Sequence, residues 1–123
     1  MRPMSRQLRN EAEVRAVADY VARLPSLKPA PTLSGNATAG AASWATCLAC
    51  HGPQGRGQEA LKAPPLAGQA DWYLLAQLKK FRAGVRGSNP RDVTGATMRP
   101  MSMTLANDEA MKNVIAYVAT FTR

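Results

Sequence analysis

The chain places all of its cysteine and histidine within five residues. These read Cys47-Leu-Ala-Cys50-His51, and no other position of the 123-residue sequence holds either residue type. A zinc site usually needs four ligands, and the chain has no second Cys pair and no second His to complete one. A thioredoxin-like redox pair requires a βαβ context, which the Ala-rich and Gly-rich flanks do not provide. A purely structural or accidental occurrence is the third alternative.

The same spacing is the signature of covalent c-type haem attachment. Two thiols three residues apart on a helix can form thioethers with the two vinyl groups of one porphyrin, and the adjacent imidazole is a standard axial ligand of iron. We therefore expect one haem c, attached through Cys47 and Cys50, with His51 as an axial ligand. A haem would also help a chain with only 6% aromatic residues to fill its core.

The second axial ligand is expected to be a methionine thioether, the partner of His in electron-carrier cytochromes. Met98, Met101 and Met103 lie close together in the sequence, whereas Met111 lies in a strongly periodic helix and is predicted to be in the core. We favour Met98, with Met101 as the runner-up. Met103 or no methionine at all stays open, because methionine also serves as an adaptable core residue.

The hydrophobic pattern predicts an all-α fold. Asn107 reads as the N-cap of a helix whose apolar positions keep helical spacing to Phe121. A second helix is expected from Asp71, as its cap, to a stop at Gly84, and a third from about Thr38 to Cys47. No stretch alternates like a strand, so residues 51–70 and 84–106 are expected to be long loops that wrap a buried porphyrin.

An internal repeat indicates the domain organisation. Residues 1–24 align without gaps on residues 98–121, with 11 of 24 positions identical, and the helical apolar positions match as well. A period near one small domain suggests that residues 1–24 are the C-terminal helix segment of a truncated preceding domain. The Pro-rich residues 25–36 then form a linker, and residues 37–123 a complete haem domain. The alternative is an N-terminal helix whose amphipathic pattern converged on that of the last helix.

Composition and charge limit the function classes. The formal net charge is +8 and hydrophobic residues make up 46% of the chain, which fits one folded domain with acidic partners. The charges are dispersed and accompany no recognition motif, so nucleic acid is not expected as a partner. The sequence contains neither the apolar run of a membrane span nor the apolar core of a signal peptide. Because c-type haem is attached outside the cytoplasm, we expect the chain to be a fragment of an exported protein.

Residues 37–123 resemble a class I cytochrome c domain of the bacterial type found in two-haem periplasmic cytochromes or fused to oxidase and dehydrogenase subunits. The specific element is Cys47-Leu-Ala-Cys-His-Gly52. Further likeness lies in the stretches that begin at Pro64, Trp72, Phe81 and Val114. The resemblance implies the class I cytochrome c fold, with three main helices and long loops around a covalently bound haem.

The resemblance also implies roles for individual residues. The carbonyl of Pro64 would accept a hydrogen bond from His51, and Gly40 and Trp44 would cross the last helix near Val114 and Tyr117. In related two-haem proteins the ligating Met lies seven residues before a Leu that precedes the last helix, a spacing that Met98 and Leu105 keep. In single-haem relatives the Met is nearer the helix, which keeps Met101 open. Cofactor contacts are further expected from Trp72, Tyr73 and Arg82, with Arg99 as the alternative to Arg82 for pairing with a haem propionate.

The expected function is one-electron transfer by a low-spin haem with His and Met ligands, in a carrier that is not itself an enzyme. One alternative is the electron-entry domain of a larger oxidase or dehydrogenase complex, and another is a haem enzyme or gas sensor with a labile sixth ligand. Partners would be redox proteins with acidic docking surfaces, in the periplasm or at a membrane complex facing it. A dimer through residues 1–24 is also considered. Docking cations would come from a basic set of side chains, namely Lys62, Lys79, Lys80, Arg82, Arg86, Arg91 and Arg99.

Overall fold

A computed structural model describes residues 2–25 and 29–122 of the chain. Six α-helices follow one another: α1 (Arg2–Ser5), α2 (Glu11–Arg23), α3 (Ala37–His51), α4 (Asp71–Arg82), α5 (Val93–Met103) and α6 (Asp108–Val118), with a short 3₁₀ helix at Glu59–Leu61. In these described ranges the only β-type pairing is an isolated bridge between Gln58 and Ala63. The all-α prediction is therefore confirmed.

The core forms where α3 crosses α6, the most extensive helix contact among the described residues. Gly40 lies at the crossing, where a Cβ atom would come within 2.8 Å of the backbone nitrogen of Val114. Trp44, one turn further along α3, packs its ring against Tyr117 at 6.4 Å and Phe121 at 5.2 Å between ring centroids. This is the crossing that the resemblance implies, and its tightness depends on a residue without a side chain.

The last helix has the start and the buried face that its sequence predicts. The side chain of Asn107 accepts a hydrogen bond from the backbone N–H of Ala110 at 2.9 Å, which caps α6. Met111 is completely buried, and the apolar positions that follow it are buried as well, namely Val114, Ile115 and Val118. The helix ends at Val118, three residues earlier than expected, but half-buried Phe121 still reaches the ring of Trp44.

The prediction of a loop at residues 84–106 is wrong, because helix α5 occupies the second half of this stretch. The Asp92 side chain accepts a hydrogen bond from the N–H of Gly95 at 2.9 Å and caps this helix. Gly95 and Pro100 have poor helix propensity, which hides the helix from a periodicity analysis. Packing of α5 against α4 provides the stabilisation that helix propensity does not provide. The other predicted loop, residues 51–70, begins with the last residue of α3 and otherwise contains only the 3₁₀ turn and the isolated Gln58–Ala63 bridge.

Two further boundaries differ from the sequence prediction. Helix α3 runs on to His51, beyond the expected end at Cys47, so the whole Cys-x-x-Cys-His segment is helical. Asp71 is the first residue of α4 and Ala70 occupies the cap position, so Asp71 does not cap the helix as expected. The carboxylate of Asp71 points instead to the segment that precedes α3, as its hydrogen bonds show below.

The N-terminal segment contains helices α1 and α2. Aligned on the last segment, α2 corresponds to α6, and the Asn10 side chain accepts from the N–H of Glu13 just as Asn107 accepts from that of Ala110. Unlike α6, however, α2 has no buried residue. The aligned apolar positions that are buried in α6 are exposed in α2, among them Val14, Val17 and Val21. No helix in the described ranges has the length and apolar character needed to cross a membrane.

Candidate functional site

The C-terminal end of α3 presents the two thiols and the imidazole on consecutive turns. Cys47 and Cys50 are both half-buried free thiols, and residues three apart lie on the same side of a helix. Burial raises the pKa of the Cys47 thiol, which keeps it protonated at neutral pH. The helix stops directly after His51, where Gly52 adopts the left-handed φ of 77° and turns the chain away. The two thiols and the imidazole therefore all lie at the C-terminal end of α3.

The ring of His51 is buried and held in one orientation. Its Nδ1 lies 2.9 Å from the carbonyl oxygen of Pro64, and a carbonyl can only accept, so Nδ1 carries the proton and donates. The other ring nitrogen, Nε2, therefore keeps its lone pair for a metal ion. The backbone of Gly57 lies directly against Pro64, since a Cβ atom on Gly57 would lie 2.8 Å from the carbonyl carbon of Pro64. The hydrogen bond implied by the family resemblance is present.

This donor set fits a covalently attached haem. It offers two free thiols and one imidazole whose tautomer is fixed by a backbone acceptor, the usual arrangement of a metal-binding histidine. A protein-only metal site fits less well, because among residues 2–25 and 29–122 no three His, Cys, Asp or Glu side chains converge so as to hold an ion. The cysteines and His51 are therefore suited to holding a porphyrin iron that brings its own nitrogen ligands.

The three candidate methionine ligands all lie on α5. Met98 is half-buried, whereas Met101 and Met103 are 38% and 52% exposed. Met98 and Met101 are three residues apart and share one side of the helix. Burial orders the candidates as the sequence does, with Met98 first and Met101 second. The choice between them stays a prediction.

The remaining residues predicted to contact the cofactor have mixed environments. Trp72 and Tyr73 are 59% and 40% exposed on the first turn of α4, with their rings edge to face at 6.1 Å. Arg82 is half-buried near the end of the same helix and donates to the backbone carbonyl of Ser102 at 3.4 Å. The haem contacts expected of these three residues stay predictions.

The junction of α4 and α5 contains polar groups that sequence reasoning did not single out together. Ser102 is completely buried, and its hydroxyl donates to the carbonyl of Arg99 at 2.6 Å. The guanidinium of Arg99 lies against Gly84, and its buried Nε has no hydrogen-bond partner among the described residues. Arg82 at the end of α4 and Arg99 on α5 thus both lie at this junction, Arg82 bonded to the Ser102 carbonyl and Arg99 packed against Gly84. An acceptor for the Arg99 Nε–H would remove the cost of burying it unpaired.

Asp71 is the second feature that the sequence did not reveal. Its carboxylate is buried and accepts hydrogen bonds from the backbone N–H groups of Thr32 and Leu33, from the Thr32 hydroxyl and from the N–H of Trp72. Burial alone would raise the pKa of this carboxyl, but the four hydrogen bonds outweigh it and hold the pKa below its ordinary value. A long-range contact of this kind leaves no pattern in the sequence.

Comparison with known proteins agrees with this geometry. The family model named Cytochrome c matches residues 37–122. Over 73 residues the chain is 45% identical to the thiosulfate dehydrogenase electron acceptor of Stutzerimonas stutzeri (strain A1501), covering 59% of this chain and 31% of that protein. It is 37% identical over 86 residues to cytochrome c4 of Azotobacter vinelandii, covering 68% of this chain and 40% of the relative.

A third relative is matched over nearly its whole length. Cytochrome c-554(548) of Halomonas halodenitrificans (strain ATCC 12084 / NCIMB 8669) is 38% identical over 88 residues, which is 71% of this chain and 98% of the relative. The chain thus spans about a third to two fifths of the first two relatives and nearly all of this one. The helical fold, the Cys-x-x-Cys-His end of α3 and the matched family place the chain in the cytochrome c family.

Proposed function

We propose that the chain transfers single electrons through one haem c attached at Cys47 and Cys50. The observation that carries this proposal is the buried imidazole of His51, whose bond to the Pro64 carbonyl leaves Nε2 as the ligand nitrogen. A haem held there supplies a one-electron iron couple. The polypeptide anchors the group through two thioethers and fixes the orientation of the axial imidazole.

Met98 is the proposed second axial ligand. It is the most buried of the three methionines on α5, and the packing of α5 against α4 holds it in a fixed place. The Arg82 and Arg99 guanidinium groups are proposed to pair with a haem propionate, because the Arg99 Nε–H is buried and has no acceptor among the described residues. Trp72 and Tyr73 are proposed to cover part of the porphyrin from the first turn of α4.

The proposed partners are redox proteins with acidic docking surfaces, such as a dehydrogenase, a reductase or a terminal oxidase. A relative is named as the electron acceptor of thiosulfate dehydrogenase, which makes a dehydrogenase a reasonable donor for this chain. Three of the expected docking cations already have partners: Lys79 pairs with Asp108, Arg82 donates to the Ser102 carbonyl, and Arg86 lies over the ring of Phe81. Exposed Lys62, Lys80 and Arg91 are better suited to steering a partner.

The test is absorption spectroscopy of protein exported together with the haem-maturation machinery. We expect a low-spin ferrous spectrum and a ferric sulfur-to-iron charge-transfer band that Met98→Ala abolishes and Met103→Ala, on the same helix, leaves intact. Loss of the band in Met101→Ala instead would assign the ligand to Met101. Absence of the band in the parent protein, with ready carbon monoxide binding, would favour the haem enzyme or gas sensor and contradict the carrier.

Residues 1–24 are proposed to be the end of a preceding cytochrome unit, joined through residues 25–36 to the haem domain at 37–123. The support is the correspondence of α2 with α6 together with the exposure of the α2 apolar face. By this alignment Val17 stands for Val114 at the crossing with α3, and Tyr20 for Tyr117 beside the tryptophan. The face of α2 would therefore fit a second helix like α3. Met1, the counterpart of Met98, lies outside the described residues.

This arrangement can be tested by exchanging the two repeats. In a variant of the full chain, residues 98–121 are replaced by residues 1–24, so that the N-terminal sequence must complete the haem domain. If the repeats are equivalent, the variant attaches haem and unfolds cooperatively, and Val17→Asp at the new crossing prevents folding. A variant that attaches no haem, with a parent protein that does, would favour the convergent amphipathic helix.

Three further features belong to the same proposal. We place the protein in the periplasm or at a membrane complex facing it, where c-type haem is attached and redox partners operate. In a larger oxidase or dehydrogenase the domain would serve as the electron-entry point. If no preceding unit covers the apolar face of α2, that face would bring two copies together through residues 1–24, and sedimentation would then show a dimer that Val17→Asp dissociates.

A further inference from the structure

The segment before α3 is attached to the haem domain at several points. The backbone N–H groups of Thr32 and Leu33 both donate to the Asp71 carboxylate, at 2.5 and 2.7 Å, and the Thr32 hydroxyl donates to it at 2.8 Å. Four residues further on, the N–H of Asn36 donates to the Asn113 side chain on α6 at 2.7 Å. One carboxylate on α4 and one amide on α6 therefore hold this segment from both ends.

The backbone of this segment also contacts the haem domain directly. A Cβ atom on Gly35 would lie 2.8 Å from the carbonyl carbon of Lys112, so the backbone rests directly on α6. Leu33 is half-buried, and Pro29 and Pro31 line a narrow crevice with Gly68, Asp71 and Ala119. Proline also restricts the unfolded alternatives of such a segment, which lowers the entropy lost on docking. We call residues 29–36 the strap.

We propose that the strap is a fixed part of the haem domain, locked by Asp71, and that it shortens the tether to whatever precedes it. Asp71 is thus a positioning residue for the preceding unit. The contacts of the strap stand by themselves, whereas their use in placing a preceding unit rests on the two-unit arrangement proposed above.

The consequence for reach follows from chain geometry. A linker of twelve residues, 25–36, could extend about 42 Å at roughly 3.5 Å per residue. With the strap docked, only residues 25–28 remain between it and the N-terminal segment, and four residues extend about 14 Å. Effective concentration falls roughly as the −3/2 power of tether length, so this threefold shortening raises it about fivefold.

The first measurement is amide hydrogen exchange of the haem-loaded protein. The amides of Thr32 and Leu33 are expected to be protected. Asp71→Asn should speed their exchange about tenfold or more, because the new side-chain NH₂ group is a hydrogen-bond donor and would face backbone N–H groups that are donors too. Glu59→Gln, which removes the same charge at an exposed site of the haem domain, is the matched control and should leave both amides protected. The haem absorption spectrum should be the same in all three proteins.

The second measurement reports the reach. Spin labels are attached after haem insertion at Asp19→Cys on α2 and Val93→Cys on the haem domain, both exposed positions. The distance distribution should be narrow in the parent and broad with Asp71→Asn. Thr32→Val, which removes only the hydroxyl bond, should give a smaller change in the same direction and replaces Asp71→Asn if that variant does not mature.

Three results would overturn the proposal: unprotected Thr32 and Leu33 amides in the parent, unchanged exchange in both variants, or faster exchange with an unchanged distance distribution. Each would show that the strap is either not fixed or does not control the reach. The two-unit arrangement is judged separately by the repeat exchange, whose result does not depend on Asp71.

Discussion

Replacing Gly40 by alanine probes the helix crossing on which the haem domain is built. Cβ atoms essentially never approach other atoms within 3.0 Å, yet the new methyl would lie 2.8 Å from the Val114 nitrogen and closer still to the Asn113 carbonyl. Because both contacts are backbone, α6 itself must move. Overpacking of this kind costs up to about 3 kcal/mol. Alanine gains about 1 kcal/mol of helix propensity over glycine. The expected net loss is about 2 kcal/mol.

The assay is guanidinium unfolding of the haem-loaded protein, followed by far-ultraviolet circular dichroism. Ala45→Gly, at an exposed position of the same helix, is the matched control and should lose about 1 kcal/mol from propensity alone. Propensity by itself would therefore give the two changes opposite signs, whereas the crossing makes both destabilising. A Gly40→Ala protein as stable as the parent, or more stable, would refute the argument that backbone contact at Gly40 sets the α3–α6 distance.

Three further predictions address the core, the strap and the repeat. Trp44→Ala should cost about 3–5 kcal/mol in the same assay, since its buried ring packs against both Tyr117 and Phe121, and a loss below about 1 kcal/mol would contradict this. The lowered pKa of Asp71 contributes stability that is present above its ordinary pKa of 3.8 and is lost as pH falls through the folded value. The free energy of unfolding of Asp71→Asn should therefore decline less steeply with falling pH than that of the parent. Parallel curves for the two proteins would exclude the contribution. Val114→Asp should abolish folding, whereas Val17→Asp, at an exposed position, should change the free energy of unfolding by no more than about 0.5 kcal/mol in a monomer. Comparable losses in the two variants would show that α2 is already packed.

Much of the candidate site could be predicted because its signals are local. The two cysteines and the histidine act through a fixed spacing on one helix, and Asn107 and the apolar positions of α6 act through capping and periodicity. The similarity of α2 and α6 could be predicted for the same reason. Helix α5 could not, because Gly95 and Pro100 oppose helix formation locally and contact with α4 compensates for them.

The sequence by itself determined the type of cofactor site and the all-α class, since each depends on residues within one or two helical turns of each other. Tertiary structure alone decided the partner of Asp71. Its neighbours in the sequence predict that this residue is a helix cap, but packing brings Thr32 and Leu33 to its carboxylate from 39 and 38 residues away. A buried carboxylate is stable only where donors reach it, and which donors reach it depends on the folded chain.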